Sequence, residues 1–144
     1  MAVFNKLNGF VEHLAEGVHN LGADQLKLAL SNVAPSAETT PPTTTTANCI
    51  LANVTQINYT GLSSTDITTT SSAQSSGTYR LELADLTLSA TANVDAFRYV
   101  YLYNSTATSD PLIGYFDYGS SLALTSGESL TIDFDQVAGA VTLA

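Results

Sequence analysis

The chain has no tryptophan, one cysteine and only four basic residues among its 144. Cys49 has no internal disulfide partner, so nothing in the cysteine usage marks an oxidising compartment. Thirteen acids against Lys6, Lys27, Arg80 and Arg98 give a net charge of −9. Wrapping a phosphate backbone needs clustered Lys and Arg that release counterions, which excludes nucleic acid as a direct partner. The same sign argues against anionic membrane surfaces. No run approaches the roughly 18 apolar residues of a spanning helix, and no basic-then-apolar leader opens the chain. The expected setting is therefore a cytoplasm, with no secretion address. The Asn-x-Ser/Thr sites at Asn53, Asn58 and Asn104 then read as chance in a Thr-rich chain.

What fills the gap is hydroxyl. Charged residues are only 12 % of the chain, while Ser and Thr supply about a quarter. Thr sits well on a pleated face, so this composition suits strands. With 44 % apolar residues, the length fits one domain with its own core.

Residues 3–21 carry Phe4, Leu7, Phe10, Val11, Leu14, Val18 and Leu21 at three- and four-residue steps, which predicts a helix within a 1–22 N-terminal segment. Asn20 and Gly22 are its expected stop signals; Gly9 and Gly17 weaken it. Such an apolar stripe must dock, on the β domain or on another chain. The β domain is expected over 23–144. In 24–33, Leu26, Leu28 and Leu30 alternate with Gln25, Lys27 and Ala29 as in a strand. Residues 34–46, with Pro41-Pro42 and a Thr run, predict an extended, poorly packed loop or arm. From Ala47 onward strand follows strand. ANCILANVTQINYT comes first, then a polar stretch, then TYRLELADLTLSATA with a bulge or bend at Ala84-Asp85. FRYVYLYN should place Phe97, Tyr99, Tyr101 and Tyr103 on one face, and LIGYFDYG, SLALTSGESLTIDFD and AVTLA complete the set. Short strands with frequent turn signals point to an antiparallel β-sandwich or jelly roll with a short N-terminal helix.

Chemistry is scarce. Asp133 and Asp135 share one strand face, as an acid/base pair or a Ca²⁺ site would. Ile132 and Phe134 occupy the other face, Glu128 alone does not complete a shell, and a solvated strand face is the simpler reading. His13 and His19, six apart on the expected helix, would point to different faces and not chelate one ion. Cys49 has no local His and reads as a buried small hydrophobe. No Gly-x-Ser-x-Gly elbow and no phosphate-binding loop occur. The tyrosines could stack on a sugar, but core and interface packing is the commoner use, and the missing tryptophan weakens the sugar reading further. No catalytic residue, cofactor site or metal site is expected.

Read end to end, FNKLNGFVEHLAEGVHNLGADQLKLALSN followed by FRYVYLYNSTATSDPLIGYFDYGSSLALTSGESLTIDFD resembles small virion proteins of tailed bacteriophages. Within that group it is similar in size and character to the capsid cement, or head decoration, proteins. The likeness spans nearly the whole chain through packing and turn residues. It implies a non-enzymatic structural protein made in the bacterial host cytoplasm. Such a protein assembles on the outer surface of the capsid, contacts the major capsid protein and itself (as dimer or trimer), and stabilises contacts between capsomers. Its expected intersubunit contacts are Phe4, Leu7, Phe10, Leu14 and Val18, with Pro41 and Pro42 of the arm. A tail, baseplate or head-fibre component is the nearest alternative. A carbohydrate-binding module using Tyr99, Tyr101 and Tyr103 is the alternative from another class.

Overall fold

The computed structural model describes residues 2–144. It is mainly β, with antiparallel sheets and one α-helix. The Leu26-Leu28-Leu30 alternation becomes a strand whose three leucines are essentially unexposed. In chain order the elements are β1 (Val3–Lys6), α1 (Asn8–Ala15), β2 (Leu26–Ser31), β3 (Asp66–Ile67), β4 (Thr69–Ser75) and β5 (Thr78–Leu83). Then follow β6 (Leu86–Ser89), β7 (Phe97–Asn104), β8 (Leu112–Leu122), β9 (Ser129–Ile132) and β10 (Val141–Leu143).

A five-stranded sheet runs β1-β8-β7-β2-β3, beside a three-stranded sheet β10-β5-β4 and a two-stranded sheet β6-β9. One core joins them. Leu26, Leu28, Leu30, Val100, Leu102 and Ile113 come from the large sheet, Leu81, Leu83 and Val141 from the second, and Leu88 and Ile132 from the third. The expected break at Ala84-Asp85 is where the chain leaves β5 in one sheet and enters β6 in another. The outer edges of β3, β4 and β10 are short or clothed in hydroxyls, and Ser63 covers the end of β6 by donating its amide to the Ser89 carbonyl at 2.9 Å. β3 has two residues and β10 three, while β4 reads TTSSAQS and is largely exposed. That polar stretch gave no apolar alternation, yet it forms a strand because β5 supplies its ladder through a tight Ser76-Gly77 turn, both residues at positive φ.

The large sheet is covered on its other face too. Ala29, Tyr99, Tyr101 and Leu112 pack there with Leu7, Cys49 and Val54. The cover is the long connection between β2 and β3, which changes two expectations. Residues 34–46 do not form an extended arm: Pro35–Ala37 make a 3₁₀ turn, and Pro35, Glu38 and Pro42 are buried. Glu38 holds the segment down by accepting hydrogen bonds from the Thr55 amide (2.8 Å) and hydroxyl (2.7 Å). ANCILANVTQINYT is not a strand; it holds one isolated bridge at Ile50 and a 3₁₀ turn over Leu51–Asn53. Its polar side chains compete for backbone partners, with the Asn53 amide donating to the Asn48 carbonyl at 2.9 Å.

The N-terminal segment also departs from one helix over 3–21. Val3–Lys6 pair with β8, Phe4 opposite Phe116, so a long-range ladder overrides the local helical period. The helix then stops early. Gly17, at φ +75°, donates to the Leu14 carbonyl while Val18 donates to His13, a Schellman stop that relies on glycine's left-handed freedom. Phe10 and Leu21, with Leu14 against them, enter the same core as the sheets. Phe97 likewise leaves the tyrosine face: the β7–β8 register shifts between Phe97 and Tyr99, turning Phe97 into the central core.

Gly114 marks a close approach. A Cβ there would lie 2.5 Å from the Phe4 ring and 2.7 Å from the Asn5 carbonyl oxygen. Gly114→Ala is therefore expected to destabilise by about 1–3 kcal/mol as Phe4 and β1 are pushed off the sheet. Chemical denaturation checks this, and an unchanged midpoint would refute the contact.

Candidate functional site

Most titratable groups are engaged in holding the chain together. Asp135 accepts from the amides of Val137 (2.9 Å) and Ala138 (2.7 Å), which hold its carboxyl below the usual range and fix the turn before β10. Glu128 accepts from the Thr125 amide at 2.7 Å, with the same direction of shift. Asp133 is exposed and makes no hydrogen bond among the described residues. Cys49 is fully buried against Gly9, its thiol pushed up to about 11 by burial, which leaves it a thiol at neutral pH. Among the described residues no group of three or more His, Cys, Asp and Glu could hold a metal.

The histidines overturn the expectation that they face apart. Because the helix ends at Ala15 and the chain reverses at Gly17, the rings of His13 and His19 meet edge-on with centroids 5.9 Å apart. His19 is 6 % exposed, so it is a core side chain and not a surface one. The cause is Asn104, wholly buried at the end of β7. Its carbonyl oxygen accepts from the amides of Thr106 (2.9 Å) and Ala107 (3.1 Å), so its NH₂ points the other way. That NH₂ donates to Asp24 at 2.5 Å and meets His19 Nδ1 at 3.2 Å. Nδ1 must accept, which makes His19 the neutral Nε2–H tautomer. Burial, then neighbouring His13, lowers its pKa to about 4, with Asp24 opposing.

The expected contact residues scatter. Leu7 and Phe10 are 2 % and 1 % exposed and offer no area to a neighbour. Pro42 is buried within the β2–β3 connection, while Pro41, Leu14 and Val18 are half-buried. Val18 and His13 line a shallow depression with Ile50 and Pro111. The tyrosine face is no sugar platform, since Tyr99 and Tyr101 are buried beneath the β2–β3 connection and Tyr103 is half-buried.

Phe4 alone among the expected contacts belongs to a larger feature. A cleft of about 840 Å³ opens between β1 and the segment running from β9 into the turn before β10. Phe4, Leu102, Phe116, Tyr118, Ile132 and Phe134 form its apolar lining. Phe116 joins the two layers, its ring centroid 5.0 Å from Phe4 and 5.9 Å from Phe134. Asp85, Asp133, Asp135 and Gln136 complete the lining. The Asp85 carboxylate accepts from the Phe134 amide at 2.9 Å, which fixes the start of that segment. Among the described residues β1 pairs only with β8, β9 pairs only with β6, and no backbone hydrogen bond joins β1 to β9. The cleft is thus a gap in the layering where a core side meets solvent between two unpaired strand edges. Sequence reasoning missed it because its walls come from residues 2–4, 85, 102, 116–118 and 131–140, which only the tertiary fold assembles.

Comparison with protein-family models, with curated proteins and with solved structures finds no match to the chain.

Proposed function

We propose that the chain is a non-enzymatic structural protein of a tailed-phage virion, a decoration protein that binds the outside of the capsid and stabilises contacts between capsomers. The layered antiparallel sheets are read as the β-sandwich, of jelly-roll type, that suits such a module. The observation that carries the proposal is the cleft, an aromatic gap beside two unpaired strand edges, which is a surface for protein contact. The histidine–asparagine cluster, the buried thiol and the capped acids account for the other polar signals as packing. Attachment is multivalent: each copy contributes one modest contact to the major capsid protein or to a sister copy, and the shell's repeating lattice multiplies it.

The test is the position of labelled copies on purified particles. High copy number spread over the head supports the reading. Copies confined to the tail or to fibres would transfer the protein to the tail, baseplate or head-fibre class, and absence from particles would end the virion reading altogether.

A further inference from the structure

We infer that the cleft between β1 and β9 takes up an extended segment of a partner protein as an added strand, with apolar side chains alternating along it and Lys or Arg beside them. The inference deepens the decoration reading, in which that partner is the capsid shell.

Three features of the cleft select this occupant. The first is backbone. β1 and β9 are each paired on one side only, and residues of both strands line a site that is largely apolar. Covering those edges with a helix, which satisfies its own backbone, would leave them buried and unpaired. An extended chain supplies donors and acceptors along its length. The second is the lining. Phe4, Phe116 and Tyr118, each half-buried, offer ring surface to alternate side chains of such a strand, as the period of a strand requires, while Leu102 and Phe134 are buried beneath them.

The third is charge. Asp85, Asp133 and Asp135 line the cleft with no basic residue among its walls. A second copy of this chain is a poor occupant. It brings a net charge of −9, and three of its four bases, Lys27, Arg80 and Arg98, already sit within 4 Å of Asp66, Glu82 and Asp117. That leaves Lys6 of β1 as its one base outside such a pair among the described residues. A cationic strand from another protein meets complementary charge instead, which speeds encounter and fixes register.

The test uses the whole chain and a probe peptide of about eight residues, the length of an ordinary strand, alternating Val and Lys and ending in one Trp. Because the chain has no tryptophan, the indole emission reports the probe alone. Saturable binding is expected, weakening as salt rises, with amide-shift changes in β1 and β9. A matched Val/Glu peptide should not bind. Asp133→Lys, at an exposed side chain without a hydrogen bond, should weaken the Lys peptide about tenfold while leaving the fold intact.

Equal binding of the two peptides, no saturation, or indifference to Asp133→Lys overturns the inference. So does competitive filling of the cleft by a neutral oligosaccharide. The particle experiment separates the two levels. If Asp133→Lys still decorates heads at full occupancy, the cleft inference fails and the decoration reading stands. If the protein is absent from particles, the decoration reading fails, and peptide binding is then judged on its own.

Discussion

Replacing Phe10 by Ala should lower the stability of the free chain by about 3–5 kcal/mol, the usual loss for emptying a buried aromatic site. Phe10 is 1 % exposed and stands in the central core, its ring centroid 5.2 Å from that of His19. The loss is a large share of the roughly 5–15 kcal/mol that holds a domain folded. At this chain length it corresponds to a fall in melting temperature of about 10–16 °C. The apolar stripe of the N-terminal segment offered two destinations, the chain's own core or a neighbour's surface, and this variant separates them. With Phe10 packed inside the subunit, the destabilisation is independent of protein concentration and present in unassembled protein. A variant that melts like the parent when dilute, yet loses particle binding, would place Phe10 at an interface and contradict the packing described above.

Acidification should weaken the fold in a window set by one histidine. His19 has its pKa lowered from 6.5 to about 4 in the folded chain, by burial first and by His13 second. Between those values the unfolded chain takes up a proton that the folded chain refuses, so stability falls as pH drops through the window. Across the full window the loss is about 3 kcal/mol. The proton's destination is Nδ1, the atom that accepts from Asn104, so charging His19 also breaks that hydrogen bond. Asp117, Glu128 and Asp135 are held below their usual carboxylate values. Their contributions, present above the unfolded carboxylate pKa, disappear only at lower pH, after the histidine has acted. Denaturant midpoints measured from pH 7 to pH 4 should slope for the parent chain and flatten for His19→Gln, which keeps an acceptor but cannot charge. The same slope in both proteins would assign the effect to another group.

What the sequence disclosed follows from how local each cause is. The Leu26, Leu28 and Leu30 alternation was legible because a strand's period is written in neighbouring residues, and its leucines do face the core. The mainly β character was legible for the same reason, repeated along the chain. The first 21 residues were not, since their apolar spacing fits a helix while Phe4 is held by Phe116 more than a hundred positions away. Gly17 looked like a weak helical residue and is the helix stop, because its left-handed backbone angle leaves no trace in hydropathy. The meeting of His13 with His19 depends on that stop. Hydroxyl-rich β4 hid for the opposite reason: an exposed edge strand carries little apolar signal. The Pro/Thr segment suggested a free arm, yet Glu38 and Thr55, seventeen residues apart, tie it down. The cleft was the least legible feature of all, having no single segment that contains it.

The distribution of strand edges sets a limit on growth. β3 and β10 are too short to template another strand, and β4 shows any newcomer a row of solvated hydroxyls. Among the described residues, the side between β1 and β9 is where open strand edges meet an apolar lining. A unit with one receptive side can terminate a run of strand pairing but cannot hand it on. Copies crowded together therefore have a route to saturation and none to a fibre.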